Sequence, residues 1–403
     1  MVECRGLRRV IRVLLLATPL VSCGGTRLQP PPPVFPLNSA WSTSLSGLIE
    51  GELATDGRFI YASTRGGSVH ALDPEQGALV WRSEGAAGLL AAGEGAVVAR
   101  DADGTVVRLE AESGVVRWRT ETGVAGALAP ALDARRVFVA GKGAAALDLV
   151  SGKPQWTDAE GEASAAPTLV GETLLVGEQD GALRAREAAT GKTRWSFATG
   201  APLLAPPAAD ASGRLFLGTT ARQFLAVSLD EGKRLWRWRV GADVPAPAAV
   251  LGKSVVFGSH ESVLYALDRR NGNLVWRQTL PSRPRSGPLL IGSAVVVACF
   301  ETDLVGFDGR DGKRLGGLKV ASTFATAPVL IGTRLFVGLR DRGTVVAVDV
   351  TMVAPVPTPS PFASPSVSPS PGGSPSPGAS PSAPPTPSPS PTPTPTPTPR
   401  PLS

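Results

Sequence analysis

The chain has 403 residues, and 40 Lys and Arg against 34 Asp and Glu give it a formal charge of +6. Six of the basic residues (Arg5, Arg8, Arg9, Arg12, Arg27 and Arg400) and one acidic residue (Glu3) lie in the end segments, so the body holds 40 − 6 = 34 basic and 34 − 1 = 33 acidic residues. A near-neutral body without a basic run gives no support to electrostatic binding of nucleic acid, and two histidines give none to a zinc site or a Ser-His-Asp triad.

In chain order, residues 1–22 come first. Four arginines precede the apolar run Val13-Leu14-Leu15-Leu16-Ala17, which is too short to span a bilayer as a helix and reads as an export signal. It closes with Leu20-Val21-Ser22-Cys23, which resembles the bacterial lipobox and marks Cys23 as the lipidation site. Acyl chains there would hold the protein on a membrane, each buried methylene contributing about 0.8 kcal/mol. Gly24 replaces the Asp that retains lipoproteins at the inner membrane, which is compatible with an outer-membrane location facing the periplasm or the surface. Residues 23–36, with Pro30-Pro31-Pro32-Pro33, read as a stiff Pro-rich tether.

From residue 37 to 352 one pattern of about forty residues recurs. Its clearest phrase is Ala71-Leu72-Asp73, then Gly77, then Trp81. The phrase returns around Trp118, Trp156, Trp195, Trp236 and Trp276. A seventh copy has Gly316 where Trp belongs, and an eighth stops at Asp349. Short apolar strands such as Phe59-Ile60-Tyr61 and Val137-Phe138-Val139 precede each phrase, and Pro130, Pro167, Pro207, Pro247, Pro288 and Pro328 mark strand entrances at the same period. Asp and Gly frame a tight turn, and Trp brings apolar area to a junction where its N–H can find an acceptor.

Short strands at this period predict an all-β fold, an eight-bladed β-propeller. Trp41 stands one full repeat before Trp81 with no strand phrase in front of it. It therefore predicts a closing N-terminal strand that supplies the outer strand of the eighth blade. Gly316 marks the loosest expected junction. Residues 353–403, rich in Pro, Ser and Thr, cannot bury a core and predict a disordered, extended tail.

His70 aligns with Tyr265 in another repeat and is expected to fill a surface position. Cys4 would leave with the signal and Cys23 would carry lipid, so Cys299 reads as a small buried apolar residue without a disulfide partner. Gly191-Lys192-Thr193 lies in the recurrent turn and lacks the upstream Gly of a phosphate loop.

The repeated phrase is that of pyrroloquinoline quinone-type propellers. With the lipobox and the closing strand, residues 20–352 resemble the BamB family of outer-membrane β-barrel assembly lipoproteins. That resemblance implies a non-catalytic, monomeric scaffold without cofactor, membrane-bound through its lipid and partnered by protein, with the barrel-assembly machinery as the candidate partner. A generic ligand- or protein-binding propeller of the periplasm or cell surface is the second expectation. Quinoprotein dehydrogenases, similar in repeat type, imply a quinone stacked between Trp and a disulfide of adjacent Cys, with calcium held by Glu, Asn and Asp. This chain has no such Cys pair.

Overall fold

The computed structural model describes residues 37–350, Arg342 excepted. The expectations for the signal, Cys23, the tether and the tail 353–403 lie outside the described residues. Among the described residues there are 31 strands and no helix. They form eight antiparallel sheets, seven of four strands, six of these with consecutive strands in simple up-and-down order. The remaining sheet is counted with three strands because its two middle arms form one stretch, Arg136–Asp148. Leu149 N–H donates to Arg135 O at 2.7 Å, closing that stretch into a hairpin like those of the other blades.

The eighth blade is completed from the N-terminal side. Strand Asn38–Ser44 pairs antiparallel with Thr344–Asp349, Trp41 opposite Ala347. Closure removes the two wet apolar faces that an open ring of blades would leave.

Apolar clusters fill the junctions between blades. Phe224 of blade five stacks on Phe257 of blade six with ring centroids 3.7 Å apart. Each repeat Trp ties its blade to the next. The Trp81 indole N–H donates to Ala111 O at 2.9 Å, and a Cβ on Gly114 would stand 2.4 Å from that ring. Gly114 is thus required twice, by its φ of +68° and by the indole against it. The same pairing recurs from Trp41 over Gly77 to Trp276 over Gly312, seven junctions in all.

The junction from blade seven to blade eight is the exception, for a structural reason. Blade eight takes its outer strand from residues 38–44, and in the sequence Val353 stands where the other repeats carry the turn Gly. Gly316 therefore has no repeat Gly opposite it to receive an indole. Leu37 and Val350, both buried, join the apolar cluster there.

The disc has two distinct faces. One carries the Asp-to-Gly turns; Leu37 and Val350, the first and last described residues, lie there, Val350 N–H donating to Thr333 O at 2.9 Å. The opposite face carries the second-to-third-strand hairpins and the connectors between blades. His70 corrects one expectation: it is buried, 2 % exposed, with Nε2 3.3 Å from Ser46 Oγ. Burial holds its imidazole below the usual pKa; the strand position is an interior one, since the aligned Val107, Ala145, Leu225, Tyr265 and Val305 are buried as well.

Candidate functional site

Eight connectors converge on the axis at the hairpin face and enclose a funnel of about 510 Å³. Leu89, Leu128, Leu204, Pro206, Pro245 and Ala327 give it an apolar wall. The prolines follow from strand-entrance chemistry, since the connector must turn inward without donating a ladder hydrogen bond. At the rim, Arg285 Nη1 lies 3.3 Å from Glu52 Oε1, and Arg285 Nη2 donates to Ala325 O at 2.5 Å. Glu52 also accepts the Ala327 N–H, so blades one, seven and eight meet in one polar clasp. Beside it, a recess of about 330 Å³ is flanked by Glu50 and the exposed Arg65 and Arg340.

Blade three opens a further recess of about 280 Å³, lined by Lys142, Glu162, Ser164 and Gln179. Its short hairpin, Gly141-Lys142-Gly143, leaves this notch. The recess shares Ala127 and Leu128 with the funnel, so an apolar channel continues outward into a polar one.

Arg100 lies beneath the channel, 1 % exposed. Four other blades have Gly at this position, and neighbouring side chains fill the space: Leu203, Val244 and Pro284 of the next connector at Gly177, Gly218 and Gly258, and Thr326 of the preceding connector with Ile49 of blade one at Gly338. The connector after blade two offers only Ala125 and Gly126, and the Arg100 side chain fills the space itself. Its guanidinium donates to Val124 O and Ala140 O at 2.6 Å and to Leu128 O at 2.9 Å. Burial pushes its pKa down to about 10, so it remains charged at neutral pH.

A charged network marks the junction of blades three and four. Arg186 occupies the place that Leu147 and Leu109 hold in other repeats and bonds Asp158. Glu178, buried, lies 2.5 Å from Arg184. Burial raises the Glu178 carboxyl above its ordinary pKa against the pull of Arg184 and Arg186.

The tryptophans singled out in the sequence, Trp41 to Trp276, are structural ties toward the turn face, and none lines the funnel. Cys299 is buried, its thiol pushed up to about 11 by desolvation. The funnel residues carry no catalytic signature, and sequence reasoning passed over them. Their one signal is the run of Ala and Pro at the connectors, as in Pro245-Ala246-Pro247. Among the described residues no three His, Cys, Asp or Glu side chains converge on a cation site.

Known proteins share this architecture. The family description of outer membrane protein assembly factor BamB matches residues 38–158, 65–202 and 141–352, which together run through the whole propeller. The chain belongs to the BamB family. The crystal structure of BamB from Moraxella catarrhalis superposes with a TM-score of 0.67 at 18 % identity, covering 78 % of this chain and 99 % of that one. Quinohemoprotein alcohol dehydrogenase from Pseudomonas putida HK5 gives a TM-score of 0.65 at 15 % identity, covering 81 % of this chain and 78 % of that one. Sqt1 of Saccharomyces cerevisiae gives 0.69 at 10 % identity, covering 78 % of this chain and all (100 %) of its own. These likenesses establish the propeller fold. No curated protein matches the sequence. The residues of this BamB-family chain do not fit a quinone site of the kind described above: Cys299 stands alone among the described cysteines, and no Trp faces the funnel.

Proposed function

We propose that the protein is a non-catalytic scaffold of the bacterial cell envelope, lipid-anchored at Cys23, whose funnel face docks a protein partner. The observation that carries this reading is the placement of the chain. Leu37 lies on the turn face, and the funnel, with its polar channel, opens on the other. A tether through residues 23–36 therefore directs the funnel away from the membrane. An apolar floor ringed by a few charged groups suits an extended segment of a partner. Family membership supports outer-membrane β-barrel assembly as the process served.

A photo-crosslinking residue at Leu204 tests the face, and Cys23→Ser tests the anchor. The expected results are crosslinks to a barrel-inserting protein, lowered porin levels on deletion, and release of the Cys23 variant to the soluble fraction. Normal porin levels with a different crosslinked partner would favour a generic binding propeller, which the enclosed apolar funnel would also suit. Bound quinone with calcium-dependent dye reduction would make the protein an enzyme and overturn the scaffold reading.

A further inference from the structure

The funnel and the recess beside it are one continuous space of two characters. Gly51, Glu52 and Arg285 line both, so the Arg285–Glu52 clasp stands at their boundary. On the funnel side the clasp supplies the charged groups, and the rest of the wall is Leu, Ala, Pro and Gly with Ser286. On the recess side Glu50, Arg65 and Arg340 join them. Volumes of about 510 Å³ and 330 Å³ take a few residues, not a folded surface.

Arg65 and Arg340 owe their place to one repeated bond. At the funnel face a residue of the second-to-third-strand hairpin donates its backbone N–H to the connector running past it. Arg65 does so to Leu48 O and Arg340 to Thr323 O, both at 2.9 Å. Lys142, Gln179, Thr220, His260 and Phe300 make the same bond in blades three to seven. Blade two departs from this: Asp101 bonds within its own hairpin, and its carboxylate accepts the Thr105 N–H. Among these positions only blades eight and one, which are adjacent, carry Arg. Both side chains are exposed, and neither makes an ion pair or a side-chain hydrogen bond among the described residues. The carboxylates of the recess do not balance them. Glu52 is engaged by Arg285 and by the Ala327 N–H. That leaves Glu50 alone against Arg65 and Arg340, so the lining keeps an excess of positive charge.

We infer that this recess captures the C-terminal carboxylate of a partner polypeptide whose last, apolar residues lie in the funnel. The inference rests on the funnel as the docking face and names the part of the partner that enters it. An α-carboxylate is an anion attached to a short segment of chain that needs no onward path. A side-chain carboxylate would bring backbone on both sides of it into a space of a few residues. Two guanidinium groups from different blades offer paired N–H donors to the carboxylate oxygens, a fork that Lys does not provide. The apolar wall takes the residues before the chain end. Leu48 at the recess and Leu204 at the funnel are 45 % and 43 % exposed, and a segment seated there covers both. Glu50 opposes the bound carboxylate and keeps the capture weak and reversible.

Fluorescence anisotropy on the purified full chain tests this with the peptide Gly-Ser-Gly-Leu-Val-Leu, labelled at its N-terminus and ending in a free carboxylate or in an amide. The acid should bind about tenfold tighter than the amide, as a charge-assisted pair of hydrogen bonds requires. That ratio should shrink between about 50 mM and about 500 mM salt, as screening shortens to a few ångströms. Arg65→Gln with Arg340→Gln should bring the acid to the affinity of the amide and leave the amide unchanged, which a misfolded funnel would not do. Glu50→Gln should tighten the acid alone, by about threefold. Equal affinity of acid and amide, an unchanged preference in the double-Arg variant, or binding of neither peptide would overturn the inference. Decanoate bound in preference to both peptides would make this a fatty-acid site and overturn it as well. A Leu204 crosslink to a protein partner, found together with equal acid and amide binding, would leave the funnel as the docking face and remove the chain-end assignment alone.

Discussion

Replacing Trp41 probes whether the ring is one cooperative unit. The side chain packs 5.7 Å from the Phe336 ring, centroid to centroid, donates to Pro74 O at 3.1 Å, and covers Gly77. Truncating a fully buried Trp to Ala costs about 3–5 kcal/mol; for this half-buried ring about 2–3 kcal/mol is appropriate. The lost hydrogen bond to Pro74 adds about 1 kcal/mol. An unfolding entropy of about 2.1 cal/mol/K per residue over roughly 310 residues gives about 0.65 kcal/mol/K, so Trp41→Ala should lower Tm by about 5 °C. Trp41→Phe keeps much of the apolar contact and loses the donor, and should lower it by about 2 °C. Differential scanning calorimetry should show one transition in each case, because the eighth blade lacks an outer strand without residues 38–44. A Tm within about 1 °C of the natural chain for Trp41→Ala, or a separate early transition, would refute the closure argument.

Gly316→Trp should not raise Tm, because the sequence carries Val353 in place of the Gly that receives the other indoles; a clear rise by the same calorimetry would contradict that account. Arg100→Met removes three charge-assisted hydrogen bonds to Val124, Leu128 and Ala140 while relieving a buried cation, and should cost about 2–4 kcal/mol in denaturant unfolding. The Asp308 carboxyl is held below its ordinary pKa first by its hydrogen bond to Arg310. Its stabilisation is therefore present above the unfolded value of 3.8 and is lost as pH falls through the lower folded value. The Tm gap between the natural chain and Asp308→Asn should hold above about pH 5 and shrink as pH falls from there to about pH 2. Cys299, buried with its thiol pushed up to about 11, should be alkylated only in denaturant; mass spectrometry of its peptide after native labelling checks this.

The blade count and the Trp at each junction were legible in the sequence because each is set by neighbours within about one repeat, and the closing strand because Trp41 keeps that period although its strand pairs with residues 344–349 at the far end of the ring. Trp81 bonds a carbonyl 30 residues on, and Trp276 one 33 residues on, so a single spacing records every junction. Gly316 was also visible, but its meaning was not. The missing Trp answers a missing turn Gly, and that follows only once residues 38–44 are seen to supply the outer strand beside Thr344–Asp349. His70 was misplaced because alignment with Tyr265 says nothing of burial: that strand position is interior in most repeats, at Tyr265 and Val107 as at His70. Arg100 reads as an ordinary strand arginine until the small residues of the next connector, Ala125 and Gly126, leave it a space to fill. The funnel is further still from local pattern, with Glu52 and Ala327 meeting across 275 positions. Local periodicity specifies each blade and its contact with the next, because those contacts repeat. What lies on the axis and what is buried beneath it arise only when the ring closes and brings non-repeating residues from distant blades together.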